Sequence, residues 1–387
     1  MRVSGTKTAQ RVERNLYRTT WEIKSYGKNN DYPQKILEII NSSGTGKTCF
    51  DIYTKFIEGG GFKDETFAKL KLNRKETSNT ILRKCAKDLR AFNGFALLVK
   101  YNGALEQDSI HNIPFEHCRQ EIDPLNHLTG RIAIHPDWTG INGLTFKIED
   151  IKYLNTFNSE NVRSEMKLAK GPKEYLGQVY YYTSDGDFEY PVCPFDPIIT
   201  DMLTEESCST VKHRNAKYNF LPGGILIRKG ISPNRNADGS INDSDPRNIE
   251  NKEASDEIKR MQGDENACKI WEVQVDTDEE KPEWQPFNTR SLDKEYTYTE
   301  SSVQSNIGKM SLVPPILRGE DVGAGFASEL LTNAYNFMNS IVDSERRAIS
   351  AVFSEIFQEK GDYTILPSIY NPAQPEAVST QPISENP

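Results

Sequence analysis

The longest stretch of helical periodicity lies between residues 328 and 360 and sets the strongest constraint on the fold. Apolar residues recur there at helical spacing from Leu330 to Phe357 with few gaps. Ser328 is a suitable N-cap, and Lys360-Gly361 is a suitable end. We therefore predict one amphipathic helix of about 45–50 Å, at 1.5 Å per residue. In a chain this polar, a helix of that length is typical of an elongated or multi-subunit protein.

The composition excludes several classes of protein. The 387 residues, enough for two to three domains, are 36% hydrophobic and 27% charged. The 17 Phe, 17 Tyr and 4 Trp still allow hydrophobic cores. We expect no membrane span and no signal peptide, because no long apolar run occurs. The six cysteines form no CxxC pair, so neither a disulfide frame nor zinc is expected. A net charge of −9 argues against a sequence-reading DNA binder.

The first half of the chain predicts an α+β domain. A basic arm over residues 1–30 is expected to become ordered only against a partner. Helices follow from Tyr32, again after SSGTGK, and over about 78–92, with Gly94 at a left-handed cap. Hairpin turns at Asn102-Gly103 and Asp185-Gly186 then indicate strands over residues 95–193. We predict one antiparallel sheet there, packed on the preceding helices.

The second half has a different pattern. Residues 197–220 predict a helix, and LPGGILIRKG predicts a short strand. Residues 230–257 contain almost no core-forming residues and predict a solvated loop, followed by a strand over 268–275. A polar helix over about 291–310 leads into LVPPILRGEDVGAGFAS, which predicts a loop. The Pro-, Ser- and Gln-rich tail is expected to be mostly disordered.

The motif SSGTGKT, residues 42–48, resembles a phosphate-binding P-loop. A P-loop also needs a glycine four residues before the Gly46-Lys47 pair, and Asn41 occupies that position. The preceding KILEII favours a helix over a strand. An NTPase that uses Gly46, Lys47 and Thr48 is therefore kept as the weaker alternative, and a helix–turn–helix connection is predicted.

Two further patterns suggest metal ligands without meeting the requirements of a metal site. Residues 234–245 have the spacing of a calcium loop, but Asn234 begins it and Asp245 replaces the bidentate glutamate. A zinc site would have to combine His111, His117, Cys118 and His135, which are more commonly structural. No nucleophile elbow or catalytic triad signature is present. We expect no enzyme activity, no cofactor and no bound metal.

The order of these segments resembles that of tailed-bacteriophage portal proteins, in particular the short portals of siphovirus-like phages. YPQKILEIINSSGTGKTCFDIYTKFIEGGGF resembles the paired N-terminal helices of that family, and LRKCAKDLRAFNGFALLVKYN its helix–glycine–strand unit. HNIPFEHCR resembles the strand end that follows, and ITDMLTEESCSTVKHRNAKYNFLPGGILI the stem helix entering the clip. The most specific likeness is SLVPPILRGEDVGAGFASELLTNAYNFMNSIVDSERRAISAVFSEIF, which resembles the tunnel loop and tunnel helix.

The resemblance implies a portal-like α+β fold and a division of the chain. The implied parts are an arm (1–30), an α+β wing (31–195), a first stem helix (196–217), a clip (218–290) with a polar insertion (230–257), a second stem helix (291–312), a tunnel loop (313–327), a tunnel helix (328–360) and a tail (361–387). Little or no crown is expected.

The resemblance also implies a function without catalysis. It implies a ring of about twelve subunits at one capsid vertex of a virion assembled in the host cytoplasm, serving DNA packaging and ejection. Implied partners are the large terminase subunit, capsid and scaffold proteins, a head–tail adaptor and non-specifically held duplex DNA. The implied DNA-facing residues are Lys309, Arg318, Gly319, Glu320, Asp321, Gly323 and Gly325. The implied motor contacts are Pro222, Gly223, Gly224, Arg228 and Lys229. Another head–tail connector or scaffold ring is the alternative, and an ion-pair ring between subunits is the alternative role for the loop charges.

Overall fold

A computed structural model describes residues 23–27, 29–123, 125, 127–138, 150–184, 190–218, 224–227, 235–236, 242, 244–246, 248–249, 283–286, 292–320, 328–358 and 360–370. Within them the chain divides into two compact units. The first combines residues 1–203 with 304–387, and the second is residues 204–303. No helix of the described part is long and apolar enough to cross a bilayer.

The longer helices lie close to where the sequence predicted them, whereas the short helices at residues 65–69 and 162–168 were not predicted. They are α1 (Tyr32–Ser42), α2 (Gly44–Glu58), α3 (Glu65–Lys69), α4 (Ser78–Phe92), α5 (Val162–Leu168), α6 (Ile199–Tyr218), α7 (Leu292–Met310), α8 (Ser328–Ile341) and α9 (Asp343–Ile356). Helix α4 begins at Thr77, whose side chain accepts a hydrogen bond from the Thr80 amide. It ends at Asn93, which takes the left-handed conformation expected for Gly94, since asparagine tolerates it. Gly94 instead begins the next strand.

The strands form small sheets instead of the single sheet predicted over residues 95–193. They are β1 (Gly61–Phe62), β2 (Gly94–Tyr101), β3 (Gln107–Ile113), β4 (Cys118–Ile122), β5 (Leu128–Ile134), β6 (Lys152–Asn155), β7 (Gln178–Thr183), β8 (Gly224–Ile227), β9 (Glu283–Pro286) and β10 (Ile365–Leu366). One sheet has the order β3-β2-β7 and another β4-β5-β6. Pro114, which has no amide hydrogen, and the 3-10 turn Phe115–His117 separate β3 from β4. The hairpin predicted at residues 185–186 lies outside the described residues.

The core of the first unit joins the two ends of its sequence. Helix α9 packs on α2 and α4, and β10 pairs antiparallel with β1. The rings of Phe67 and Tyr363 are 4.8 Å apart, and those of Phe62 and Phe353 are 5.0 Å apart. The Gly59–Gly61 turn permits this closure, because a Cβ at Gly59 would lie 2.1 Å from the Leu366 carbonyl oxygen.

The single helix predicted over residues 328–360 is divided in two. Helix α8 ends at Ile341 and α9 begins at Asp343, and Val342 between them has a non-helical ψ of 6 degrees. The side chain of Val342 is buried, and α9 ends at Ile356 instead of Lys360. The apolar periodicity continues through the break, so it gave no sign of the interruption.

The end of the predicted N-terminal arm is part of the fold. Ile23 is buried with Trp138, and the Lys24 amide donates to the Gln120 carbonyl of β4. Arg119 is fully buried and fastens this segment by donating to the backbone and side-chain oxygens of Asn30. The prediction of an arm reaching residue 30 is therefore wrong from Ile23 onward.

The second unit contains a two-stranded sheet and parts of two helices. Strand β8 pairs antiparallel with β9. Lys212 of α6 forms an ion pair with Glu300 of α7. The strand predicted over residues 268–275 lies outside the described residues, as does most of the solvated loop predicted over 230–257.

Candidate functional site at the end of helix α7

The candidate site is the turn that follows helix α7, at the base of the predicted tunnel loop. The Val313 amide donates to the Gly308 carbonyl, and the Ser311 amide donates to the Ile307 carbonyl. Leu312 takes a left-handed conformation with φ of 60 degrees, a position that usually holds glycine. Its side chain is half exposed. This cap turns the chain sharply into Pro314.

A short 3-10 helix, Pro315–Arg318, continues from the cap. Pro314 and Pro315 preset the backbone angles for this turn. Gly319 closes it with φ of 79 degrees, and its amide donates to the Ile316 carbonyl. The Glu320 amide donates to the Pro315 carbonyl at 3.1 Å. The base of the loop therefore has a defined backbone up to Glu320.

Arg318 turns back onto helix α7. Its side chain is only 5% exposed, and its Nη1 lies 2.8 Å from Oε1 of Glu320, whose side chain is 45% exposed. Nη1 also lies 3.3 Å from the Gln304 carbonyl, to which it donates. A Cβ at Gly308 would lie 1.8 Å from Nη1, so the guanidinium occupies the space above that glycine. Arg318 thus joins α7 to the start of the loop.

Arg90 of helix α4 holds the same turn from the other side. Its Nη2 donates to the Ser311 carbonyl at 3.3 Å. The guanidinium carbon lies 3.7 Å from the ring centroid of Tyr53 and 4.5 Å from that of Phe195, a cation–π arrangement. Burial lowers the pKa of Arg90. The Tyr53 hydroxyl donates to Glu345 at 2.8 Å, which links this cluster to α9.

Cys49 of helix α2 lies within the field of both arginines. Burial raises the pKa of the Cys49 thiol, and the nearby guanidiniums of Arg318 and Arg90 oppose that rise. A buried thiol of raised pKa is a poor nucleophile. The environment of Cys49 therefore indicates a packing role and not covalent chemistry.

The sequence-derived DNA-facing residues fall into three groups in the structure. Lys309, Gly319 and Glu320 are accessible at the end of α7 and the base of the loop. Arg318 faces inward, so its burial in the single chain disagrees with a side chain directed at DNA. Asp321, Gly323 and Gly325 lie outside the described residues.

The sequence-derived motor contacts are almost all outside the described residues. Gly224 begins strand β8 and pairs with Pro286 of β9. The others, Pro222, Gly223, Arg228 and Lys229, are not among the residues described. Their assignment stays a prediction.

The P-loop-like motif is an interhelical connection, as predicted. Helix α1 ends at Ser42 and α2 begins at Gly44, so one residue separates them. The Ser43 Oγ accepts from the Gly46 amide at 2.9 Å, which makes it the N-cap of α2. Lys47 forms an exposed ion pair with Asp51 one turn later. A phosphate cradle needs a wrapped loop before the glycine–lysine pair, and helix α1 occupies that part of the chain.

Two of the histidine rings considered for zinc have hydrogen-bond partners in the protein: Nε2 of His111 lies 3.2 Å from Ser109 Oγ, and Nδ1 of His135 accepts from the Asp137 amide at 3.0 Å. The His117 carbonyl accepts from the His135 amide at 3.1 Å and from Trp138 Nε1 at 2.8 Å. Burial lowers the pKa of His117 and raises that of the Cys118 thiol. Among the described residues, no group of three or more His, Cys, Asp or Glu is placed to hold a metal. Most of the calcium-like stretch 234–245 lies outside those residues.

Sequence reasoning missed Gly308 and Arg90 as parts of this site. A glycine inside a helix costs about 1 kcal/mol relative to alanine, so Gly308 within α7 was a readable signal of close packing. Arg90 gave no signal, because an arginine on a helix normally lies in solvent.

Comparison with known proteins supports the fold. No family model and no curated protein matches the chain. A solved chain of the virion of the native gene transfer agent (GTA) particle is similar at 12% identity and a TM-score of 0.50, covering 91% of this chain and 86% of that one. A chain from the neck of the native GTA particle, computed with C12 symmetry, has 12% identity, a TM-score of 0.48 and coverages of 86% and 82%. An HK97 family phage portal protein from Corynebacterium diphtheriae has 8% identity, a TM-score of 0.39 and coverages of 76% and 82%.

The chain shares its fold, over nine tenths of its length, with that chain of the GTA virion. The portal-like α+β fold predicted from the sequence is confirmed, and the predicted resemblance to tailed-phage portal proteins is confirmed at the level of the fold.

Proposed function

We propose that this chain is a portal protein that forms a ring at one capsid vertex and provides the passage for DNA during packaging and ejection. The observation that carries the proposal is the order of elements around the candidate site. A helical and β-sheet unit is interrupted by residues 204–303, and the chain returns through α7, a proline-rich turn and helices α8 and α9. The fold shared with the GTA virion chain supports it.

The charge of the chain suits a conduit that does not hold DNA tightly. Twelve copies carry a net charge of about 12 × −9, or −108. Proteins that bind duplex DNA tightly neutralise its phosphates with lysine and arginine. An acidic ring would not bind the phosphates in this way. Of the predicted DNA-facing residues that the structure describes, Lys309 and Glu320 have the side chains that would be open to the proposed lumen. Arg318 is reassigned to the support of the loop.

The proposed partners follow from this role. The second unit, with β8 and β9, would meet the large terminase subunit and later the head–tail adaptor. The first unit would contact capsid and scaffold proteins at the vertex of the virion. Packaging energy would come from the terminase, so this chain would hydrolyse no nucleotide. Assembly would take place in the host cytoplasm.

Light scattering and negative-stain imaging of the purified chain test the ring. A mass near 12 × 43.9 kDa, about 530 kDa, with rings that have a central hole would support the proposal. A monomer at high concentration, even with scaffold and capsid protein added, would contradict it.

A second experiment tests the passage itself. Residues 319–325 are replaced by a rigid sequence of equal length, and the length of packaged DNA is measured in virions. We expect shorter packaged DNA with ring assembly unchanged. An unchanged genome length would contradict the assignment of the loop.

A further inference from the structure

The contacts of Arg318 define a small structural unit at the base of the loop. We name Gln304, Gly308, Arg318 and Glu320 the loop clamp. Two of its members lie on successive turns of α7, and two lie at the base of the loop. The guanidinium is the part that joins them, through one ion pair and one hydrogen bond to a helix carbonyl.

We propose that Arg318 is a positioning residue that couples the end of helix α7 to the tunnel loop, so that a displacement of α7 moves the loop with it. The proposal rests on the proposed function only for the meaning of that movement, which is contact with DNA. The contacts within the loop clamp are present in the single chain and do not depend on the proposed function.

The loop clamp is held by few interactions, so the contact between Arg318 and Glu320 can open. A buried guanidinium needs a partner, and its counter-ion within the described residues is Glu320, which is itself half exposed. Its Nε has no hydrogen-bond partner in the described part of the chain. Arg318 therefore uses few of its five donors, and the ion pair with Glu320 carries much of its attachment.

The position of the Arg318 guanidinium requires a glycine at residue 308. The calculated Cβ position at Gly308 lies 1.8 Å from Nη1 and 2.1 Å from Cζ of Arg318. Any larger residue at 308 must displace the guanidinium from its position over this glycine. Gly308→Ala thus opens the clamp while Arg318 and Glu320 are both retained.

Hydrogen exchange on the assembled wild-type and variant proteins tests the proposal. The reporters are the amides of Leu317, Gly319 and Glu320, which donate to carbonyls of the turn. In Arg318→Gln and in Gly308→Ala we expect exchange at these amides to accelerate about tenfold or more, as local opening becomes easier. Arg318→Lys should restore part of the protection.

Arg347→Gln is the matched control, because Arg347 forms an exposed i,i+4 pair with Asp343 away from the loop. It should leave the reporter amides unchanged. If Arg318→Gln does not fold, Glu320→Gln removes the counter-ion at a half-exposed position and should accelerate exchange in the same amides.

Wild-type exchange rates in the folded Arg318 or Gly308 variants would overturn the clamp. Packaged DNA length, measured in parallel, separates the two proposals. Faster exchange at the reporter amides with an unchanged genome length would support the clamp and contradict the role of the loop in packaging.

Discussion

The P-loop-like segment gives the sharpest test of the structure, because the two interpretations rank its residues in opposite order. In the structure Gly46 is packed closely and Lys47 is exposed. A nucleotide site would require the lysine above all. The pair Gly46→Ala and Lys47→Ala therefore separates an interhelical connection from an NTPase.

The expected magnitudes follow from the contacts. A Cβ at Gly46 would lie 2.7 Å from Ser43 Oγ and 2.8 Å from Met202 Cε. Displacing the Ser43 cap costs about 1 kcal/mol, and overpacking costs about 1–3 kcal/mol. The higher helix propensity of alanine returns about 1 kcal/mol. We expect Gly46→Ala to lower the free energy of unfolding by about 1–3 kcal/mol.

Lys47→Ala should have almost no effect on stability. The Lys47–Asp51 pair is exposed, with the lysine on the N-terminal side, which is the weaker orientation. Such a pair contributes at most about 0.5 kcal/mol, and alanine is a better helix former. The expected change is close to zero.

Thermal unfolding followed by circular dichroism measures both variants at one protein concentration, since oligomer stability depends on it. Gly46→Ala should lower the apparent Tm by about 2–12 °C, at about 2–4 °C per kcal/mol. Lys47→Ala should agree with wild type within about 1 °C. Stoichiometric binding of a fluorescent ATP analogue that Lys47→Ala abolishes would refute the reasoning, as would a wild-type Tm for Gly46→Ala.

Three further predictions concern single residues. Leu312→Gly should raise the free energy of unfolding by about 1 kcal/mol, because it relieves a left-handed leucine; an unchanged denaturation midpoint would contradict this. Gly319→Ala should lower it by about 1 kcal/mol through backbone strain, since no atom of the described residues lies within 4 Å of the added Cβ; chemical denaturation tests both. Burial raises the pKa of Asp88 to about 7, so its carboxyl is protonated in the folded chain but ionised in the unfolded chain between about pH 4 and 7. Stability should therefore fall as pH rises through that window, and Asp88→Asn should remove this part of the dependence of Tm on pH.

The sequence was most informative where local rules decide the structure. Helices α1, α4, α6 and α7 begin and end within about two residues of their predicted bounds, because caps and apolar periodicity are local signals. An interhelical connection in this motif was predictable for the same reason, but it is confined to Ser43, because helix α2 already begins at Gly44.

Long-range contacts account for what the sequence did not predict. The division of the predicted sheet depends on strand pairings, and the break at Val342 depends on packing that the apolar periodicity does not record. Arg119 and Arg318 carry full charges, so composition rules place them in solvent. Their burial depends on acceptors that only the folded chain brings together.

The pairing of β1 with β10 has a consequence for the timing of biosynthesis. Phe62 of β1 cannot pair until Ile365 of β10 has been synthesised, and about 300 residues separate the two in the chain. At roughly 5–20 residues per second, a ribosome needs about 15–60 s to add that many. During this interval the nascent chain presents the unfinished aromatic core of its first unit, and a truncation before residue 365 would leave it permanently open. Quality control by chaperones should therefore act on this protein before any subunit can join an assembly.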